Sequence, residues 1–333
     1  MNIIIPMAGM GKRMRPHTLT TPKPLLPVAG KPIVERLAED IVSVCGGKIN
    51  EIAFVIGDFG KEVEQQLLDI ASRLGAKGKI FYQDVPLGTA HAILCAQESL
   101  NGEVIIAFAD TLFHADFKID TSKDGVIWVH HVADPSSFGV VKINEEGIIT
   151  DLIEKPSEPV SHLAIIGVYY FRDGGYLKRE MQFLIDNDIK EKGEYQITNA
   201  LENMKKKGAK FVPGEVKEWL DCGNKDVTVY TNQRILERHK KDKMISPNAT
   251  IENSTIIPPC FIGDGAIIQN SVIGPHVSVG EASSIDSSVV SNSIIMKHVR
   301  IRHRNLSNCM IGNHAVLDNQ PDDLSIGDYT TSI

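Results

Sequence analysis

From about Ser246 onward, aliphatic residues recur at a spacing that neither a helix nor an ordinary strand uses. Ile245, Ile251, Ile256, Ile262, Ile268, Ile273, Val279 and Ile285 follow one another every five or six residues, and Ile295, Ile301, Ile311 and Leu317 continue the series less regularly. A helix repeats its buried face every ~3.6 residues and a half-buried strand every ~2 residues, so neither period fits. Small and polar residues fill the gaps, as in Gly263-Asp264-Gly265-Ala266 and Gly280-Glu281-Ala282-Ser283. A hexapeptide repeat accounts for both: one aliphatic side chain per short strand points into a triangular solenoid and turns occupy the corners. The pattern fits a left-handed parallel β-helix of roughly four to five coils.

The preceding residues have a different texture. Ile3–Ile5 is a short apolar run that ends in a glycine-bearing loop, Ile33–Val44 has helical spacing, and Ile52–Ile56 is strand-like. Glu62–Leu74 is amphipathic, Val104–Phe108 is another apolar run ending at Asp110, and Val126–Val132 is a fourth. Alternating strands and helices predict an α/β domain with a mostly parallel central sheet and helices on both faces. Ligands of such sheets bind outside the carboxyl ends of the strands, here the loops after Ile5 and Phe108. Asn224–Lys243 reads as a helix joining this domain, 1–240, to the solenoid, 241–333.

The chain's 333 residues exceed one typical core. A net charge of −7 argues against broad phosphate neutralisation on a nucleic acid, although it allows a local basic cluster for a small phosphorylated ligand. Cys45, Cys95, Cys222, Cys260 and Cys309 form no CxxC pair, and scattered thiols fit a reducing cytoplasm. No basic leader precedes the first apolar run and no stretch approaches a membrane span, so a cytoplasmic protein without a membrane partner is expected.

Gly9-Met10-Gly11-Lys12-Arg13 follows the first strand. Glycines let backbone N–H groups approach a phosphate, and Arg13 and Lys23 supply cations. The loop is no Walker loop, because its spacing fails and Arg13 follows Lys12, and no dinucleotide fingerprint, because Met14 replaces the third glycine. Pro22-Lys23-Pro24-Leu25-Leu26-Pro27 predicts an extended, rigid segment around Lys23. The whole block resembles the signature of the sugar-1-phosphate nucleotidyltransferases, Gly-x-Gly-Thr-Arg-Leu followed by Pro-x-Thr and Pro-Lys-Pro, with Lys12 in place of the usual Thr or Ser.

Further segments extend the resemblance over about residues 1–240. Gln83 precedes Pro86-Leu87-Gly88-Thr89-Ala90, and its amide carries both a donor and an acceptor that match the edge of uracil or thymine. Asp110 and Asp221 correspond to the family's metal-binding pair, with Ala109 and Asn224 where Gly and Thr are usual. Phe138-Gly139-Val140-Val141, Glu154-Lys155-Pro156 and Gly167-Val168-Tyr169 resemble the elements that line the sugar pocket. Gly193-Glu194-Tyr195-Gln196-Ile197-Thr198-Asn199 resembles another, with Asn199 replacing Asp.

The resemblance implies a Rossmann-like nucleotidyltransferase domain that joins a nucleoside triphosphate to a sugar 1-phosphate with Mg²⁺. It assigns catalysis to Arg13 and Lys23, nucleotide binding to Ala8, Gly9, Gly11, Gln83, Gly88 and Thr89, and the metal to Asp110 and Asp221. Gly139, Glu154, Lys155, Gly167 and Tyr169 take the sugar phosphate. Gln83 leans the base toward dTTP or UTP, and glucose 1-phosphate leads the sugars. Guanylyl transfer to mannose 1-phosphate, a second acyltransferase activity using His276, His298 or His314, and a non-catalytic regulatory subunit are the alternatives. Flat solenoid surfaces predict a homo-oligomer.

Overall fold

The computed structural model describes residues 1–156, 158 and 160–320; residues 321–333 of the expected solenoid lie outside the described residues. The chain divides into two compact units, one made of residues 1–26 and 32–223, the other of 27–31 with residue 224 onward.

The first unit is built on one mixed sheet. Asn2–Pro6 runs parallel to both Glu51–Ile56 and Val104–Ala107, and Glu51–Ile56 pairs in parallel with Lys77–Tyr82. Residues 3–5, 52–56 and 104–107 are uninterrupted apolar runs because both faces are covered there, whereas the edge strand Lys77–Tyr82 is not. Ile4, Ala53, Val55 and Ile106 pack with Ile93 of the Thr89–Cys95 helix, Met181 of Gly174–Asp186 and Leu201 of Ile197–Lys206. Ile3 and Ile5 alternate to the opposite face and are also fully buried.

Beyond Val104–Ala107 the sheet changes character. Leu163–Phe171 pairs antiparallel with Val104–Ala107, with Gly125–His131 and with Gly139–Ile143. Phe211–Glu215 restores a parallel pair with Gly125–His131. The parallel expectation therefore describes the half of the sheet around the N-terminal strand. Its register with Gly125–His131 shifts between Ile165 and Tyr169, where Gly167 adopts φ +82° and its carbonyl accepts the Phe108 N–H at 3.0 Å. A side chain is strained at such a φ, which is why glycine stands there.

The second unit contains the solenoid. Three parallel sheets run along it, one of five strands and two of four, which is the coil number expected from the repeat. Stacked positions differ by sixteen or seventeen residues. Ile262, Ile268, Ile273, Val279, Ile285, Val290 and Ile301 fill the interior and are all but fully buried. Val290 supplies the inward position that the aliphatic series skipped.

Each corner needs a residue in the left-handed region. Asn253, Asn270, Ser287 and His303 provide one set, Ala282, His298 and His314 another, and His276, Asn292 and Asn308 a third, all at positive φ. Side chains tie the coils together at these corners. Ser254 Oγ accepts the Ser271 N–H at 3.0 Å, Ser271 Oγ the Ser288 N–H at 3.1 Å, and Ser288 Oγ the Arg304 N–H at 3.1 Å. The helix expected over Asn224–Lys243 spans Lys225–Arg238, capped by the Asn224 side chain on the Asp226 and Val227 N–H groups. It ends before His239, and the charged segment after it is turn.

Candidate active site

A cleft of about 440 Å³ opens in the first unit at the carboxyl ends of Asn2–Pro6 and Val104–Ala107. This is where an open α/β sheet places its ligands. Ala8, Gly9, Gly11, Arg13, Lys23, Gln83, Gly88, Thr89 and Asp110 all line it.

The glycine loop is shaped around Lys23. Gly11 has φ +57°, and a Cβ there would stand 2.9 Å from the Lys23 Cβ. Thr18 Oγ1 donates to the Gly11 carbonyl at 2.8 Å, and the buried Met14 anchors the Lys12–Met14 turn. Lys23 is not in an extended segment as the prolines predicted. It opens a 3-10 turn, Lys23–Leu25, whose Leu25 N–H reaches the Pro22 carbonyl at 2.9 Å. Proline's fixed φ suits the first turn of a helix as well as an extended chain, and here Pro24 occupies that turn. Lys23 is 8% exposed and its Nζ lies 3.1 Å from Asp110 Oδ2.

A small antiparallel ribbon brings the second aspartate to the first. Glu218–Asp221 pairs with Thr111–His114 so that Asp221 stands opposite Thr111, and the Cys222 N–H donates to the Asp110 carbonyl at 3.0 Å. Residues more than a hundred positions apart thus share one edge. Burial and the neighbouring Asp110 carboxylate raise the pKa of Asp221, while Lys23 and Arg13 oppose the shift. Arg13, Lys23, Asp110 and Asp221 therefore form one electrostatic cluster. Two carboxylates offer hard oxygen donors suited to Mg²⁺, which takes one or two from protein and the rest from phosphates and water. Among the described residues no group of three His, Cys, Asp or Glu side chains is placed to hold a metal.

The backbone around Gly88 is tightly packed. Gly88 has φ +118°, and a Cβ there would lie 2.5 Å from the Tyr195 carbonyl oxygen. Thr89 Oγ1 donates to Gln196 Oε1 at 3.1 Å and accepts the Ile197 N–H at 2.9 Å, at the start of the Ile197–Lys206 helix. Its hydroxyl thus joins two helices while its backbone borders the cleft. The Gln83 N–H donates to the Ile56 carbonyl at 2.8 Å, and Gln83 Nε2 lies 3.1 Å from His91 Nδ1.

The residues expected at the sugar phosphate form a second cluster, joined to the cleft through Phe108. Glu154 pairs with Gly139, and a Cβ on Gly139 would stand 3.0 Å from Glu154 Oε2. Burial, and secondarily Glu154, push the Tyr169 hydroxyl pKa up. Tyr169 meets the Phe108 ring edge-on at 6.5 Å, and a Cβ on Gly167 would lie 3.5 Å from the same side chain. Lys155, at φ +45°, places its Nζ 3.6 Å from Glu154, so it belongs to this second cluster.

Glu194 also lines the cleft, although the sequence argument passed over it. Its motif was visible, but the register that brings it to Gly88 depends on the Tyr195 N–H reaching the Leu87 carbonyl. The three solenoid histidines occupy corners. His276 Nε2 is 2.7 Å from Glu237 Oε1, and the rings of His298 and His314 stack at 4.8 Å.

Comparison with known proteins identifies the family. Residues 2–238 match the nucleotidyl transferase family, and residues 238–330 match the GlmU-like C-terminal hexapeptide family. The chain is 31% identical over 255 residues to the low-salt glycan biosynthesis nucleotidyltransferase Agl11 of Haloferax volcanii, covering 73% of this chain and 69% of that protein. It is 29% identical over 288 residues to a glucose-1-phosphate thymidylyltransferase of Streptomyces antibioticus, covering 80% and 78%. With the bifunctional protein GlmU of Methanocaldococcus jannaschii it shares 29% identity over 263 residues, 77% of this chain but 60% of that one. A match over residues 2–238, more than half of the chain, shows that it belongs to the nucleotidyl transferase family, with a hexapeptide β-helix following the nucleotidyltransferase domain in sequence.

Proposed function

We propose that the chain transfers a nucleotidyl group from dTTP or UTP to a sugar 1-phosphate, with glucose 1-phosphate the leading acceptor, giving a nucleotide sugar and pyrophosphate. The observation that carries this reading is the cleft lined by Arg13, Lys23 and Asp110, with Asp221 in electrostatic reach of all three. Two polyanions must meet there, and Arg13 and Lys23 lower their repulsion.

An oxygen of the sugar phosphate attacks the α-phosphorus, the bond from that phosphorus to the bridging oxygen breaks, and pyrophosphate departs. The nucleophile is already an anion, so no general base is required. The work is positioning and charge neutralisation. The N–H groups around Ala8, Gly9 and Gly11 cradle the triphosphate, and Arg13 steadies its leaving portion. Lys23, released from Asp110, holds phosphate from below. Gln83 reads the base, with the backbone at Gly88 and Thr89 bordering it. In the second cluster Glu154 accepts from sugar hydroxyls and Lys155 pairs with the sugar phosphate, beside Gly139, Gly167 and Tyr169. Asp110 and Asp221 would hold Mg²⁺, which would supply positive charge to offset that of the reacting phosphates.

We assign this chemistry to residues 1–240 and a structural, subunit-packing role to 241–333. The thymidylyltransferase name of the Streptomyces relative supports the base and the sugar. A screen of dTTP, UTP, GTP, CTP and ATP against glucose, mannose and N-acetylglucosamine 1-phosphates, read by pyrophosphate release, tests the reading. Release with dTTP or UTP and glucose 1-phosphate is expected; release confined to GTP and mannose 1-phosphate would replace it with guanylyl transfer.

A further inference from the structure

His91 takes no part in the steps above, yet it holds the one side chain assigned to the base. Gln83 follows the Lys77–Tyr82 strand and borders the cleft; His91 lies in the Thr89–Cys95 helix on the far side of the intervening turn. The 3.1 Å contact between Gln83 Nε2 and His91 Nδ1 closes that turn. An amide nitrogen only donates, so Nδ1 must accept through its lone pair. Burial lowers the His91 pKa, which keeps the ring neutral and the lone pair available. His91 itself is fixed, because the Ala90 N–H reaches the Tyr195 carbonyl at 2.9 Å and Thr89 ties the helix start to Ile197.

A free glutamine amide rotates and presents its oxygen and nitrogen in either order. It can then satisfy an imide edge, N–H beside C=O, or an amidine edge, a ring nitrogen beside an amino group. Uracil and cytosine have nearly the same size and differ in this order. An amide whose nitrogen is held presents one order only.

We propose that His91 is a positioning residue which, by fixing the amide orientation of Gln83, sets the site to accept an imide-bearing pyrimidine and to reject the amino-bearing one. This rests on the reading of Gln83 as the base contact. It adds the device that makes that contact selective. Once one N–H is engaged by His91, Gln83 keeps its Oε1 for the imide N–H and its second N–H for a carbonyl. A cytosine in the same place sets a ring nitrogen against Oε1 and an amino group against the amide N–H, two mismatches in a partly enclosed site.

Calorimetric binding of UTP and of CTP, each with Mg²⁺, to the wild type, His91→Phe, His91→Asn and Gln83→Ala tests this. It needs no knowledge of the sugar, and the fitted stoichiometry reports the competent fraction, so partial misfolding leaves the affinity ratio intact. Wild type should prefer UTP by about tenfold or more. The ratio should fall toward unity in His91→Phe and Gln83→Ala. It should be largely kept in His91→Asn, whose side-chain oxygen accepts where Nδ1 did. If His91→Phe weakens both nucleotides equally and keeps the ratio while Gln83→Ala loses it, the role of His91 is overturned and that of Gln83 stands. Loss in both His91 variants overturns it as well, since the acceptor would not be what matters. If Gln83→Ala keeps the wild-type ratio, or the wild type has none, the base reading fails and this inference with it.

Discussion

The fold disfavours the ionised form of Asp221. Its pKa is raised by burial first and by Asp110 second. A carboxyl raised in this way contributes its stability while protonated, below the ordinary carboxylate range, and loses it as the pH rises through the shifted value. Once ionised, the side chain therefore opposes folding. Asp221→Asn should raise the melting temperature at pH 7, with the gain fading as the pH is lowered into the carboxylate range, and should abolish pyrophosphate release. A melting temperature that falls at pH 7 would contradict this account of the residue. Lys23 carries the complementary charge. It is buried and paired with Asp110, so the cluster is closer to neutral than its carboxylates alone would be.

At the scale of elements, the cleft is held by joints that sequence spacing does not display. Thr89 links the start of its own helix to the first N–H of Ile197–Lys206. Thr89→Val should cost about 1 kcal/mol of stability, the usual worth of such a hydrogen bond, measured by denaturant unfolding. It should reduce turnover as well, because the Gly88 loop rests on the same segment. Much of the architecture was legible beforehand. Continuous apolar runs marked the buried strands, and the five-to-six-residue recurrence marked the coils. The antiparallel half of the sheet was not, because a strand covered on both faces looks the same whichever way its neighbours run. The extended reading around Lys23 erred for a similar reason, since proline fixes φ but leaves ψ to the turn. The ribbon that joins Asp221 to Asp110 rests on pairing between distant segments. Its aspartates were found by motif; their proximity required the Glu218–Asp221 and Thr111–His114 register. The hold of His91 on Gln83 is likewise a contact across a turn.

At the scale of the whole molecule, the solenoid adds flat, ladder-tied faces to a chain of 36.6 kDa. Its outward positions include the exposed apolar side chains Ile267 and Val289. We propose that these faces pack against other copies, so sedimentation should give a multiple of the chain mass, and charged substitutions at Ile267 and Val289 should lower it without loss of the fold. A monomer at micromolar concentration would remove the subunit-packing role. No helix among the described residues is long and apolar enough to cross a membrane. In the proposed reaction two phosphate esters meet over one set of fixed charges. Pyrophosphate release from dTTP and glucose 1-phosphate, measured for the wild type, Lys23→Ala and Asp110→Asn, tests it most directly. Turnover by the wild type should fall by about a hundredfold or more in each variant, with the melting transition preserved; undiminished turnover in either variant would contradict the account.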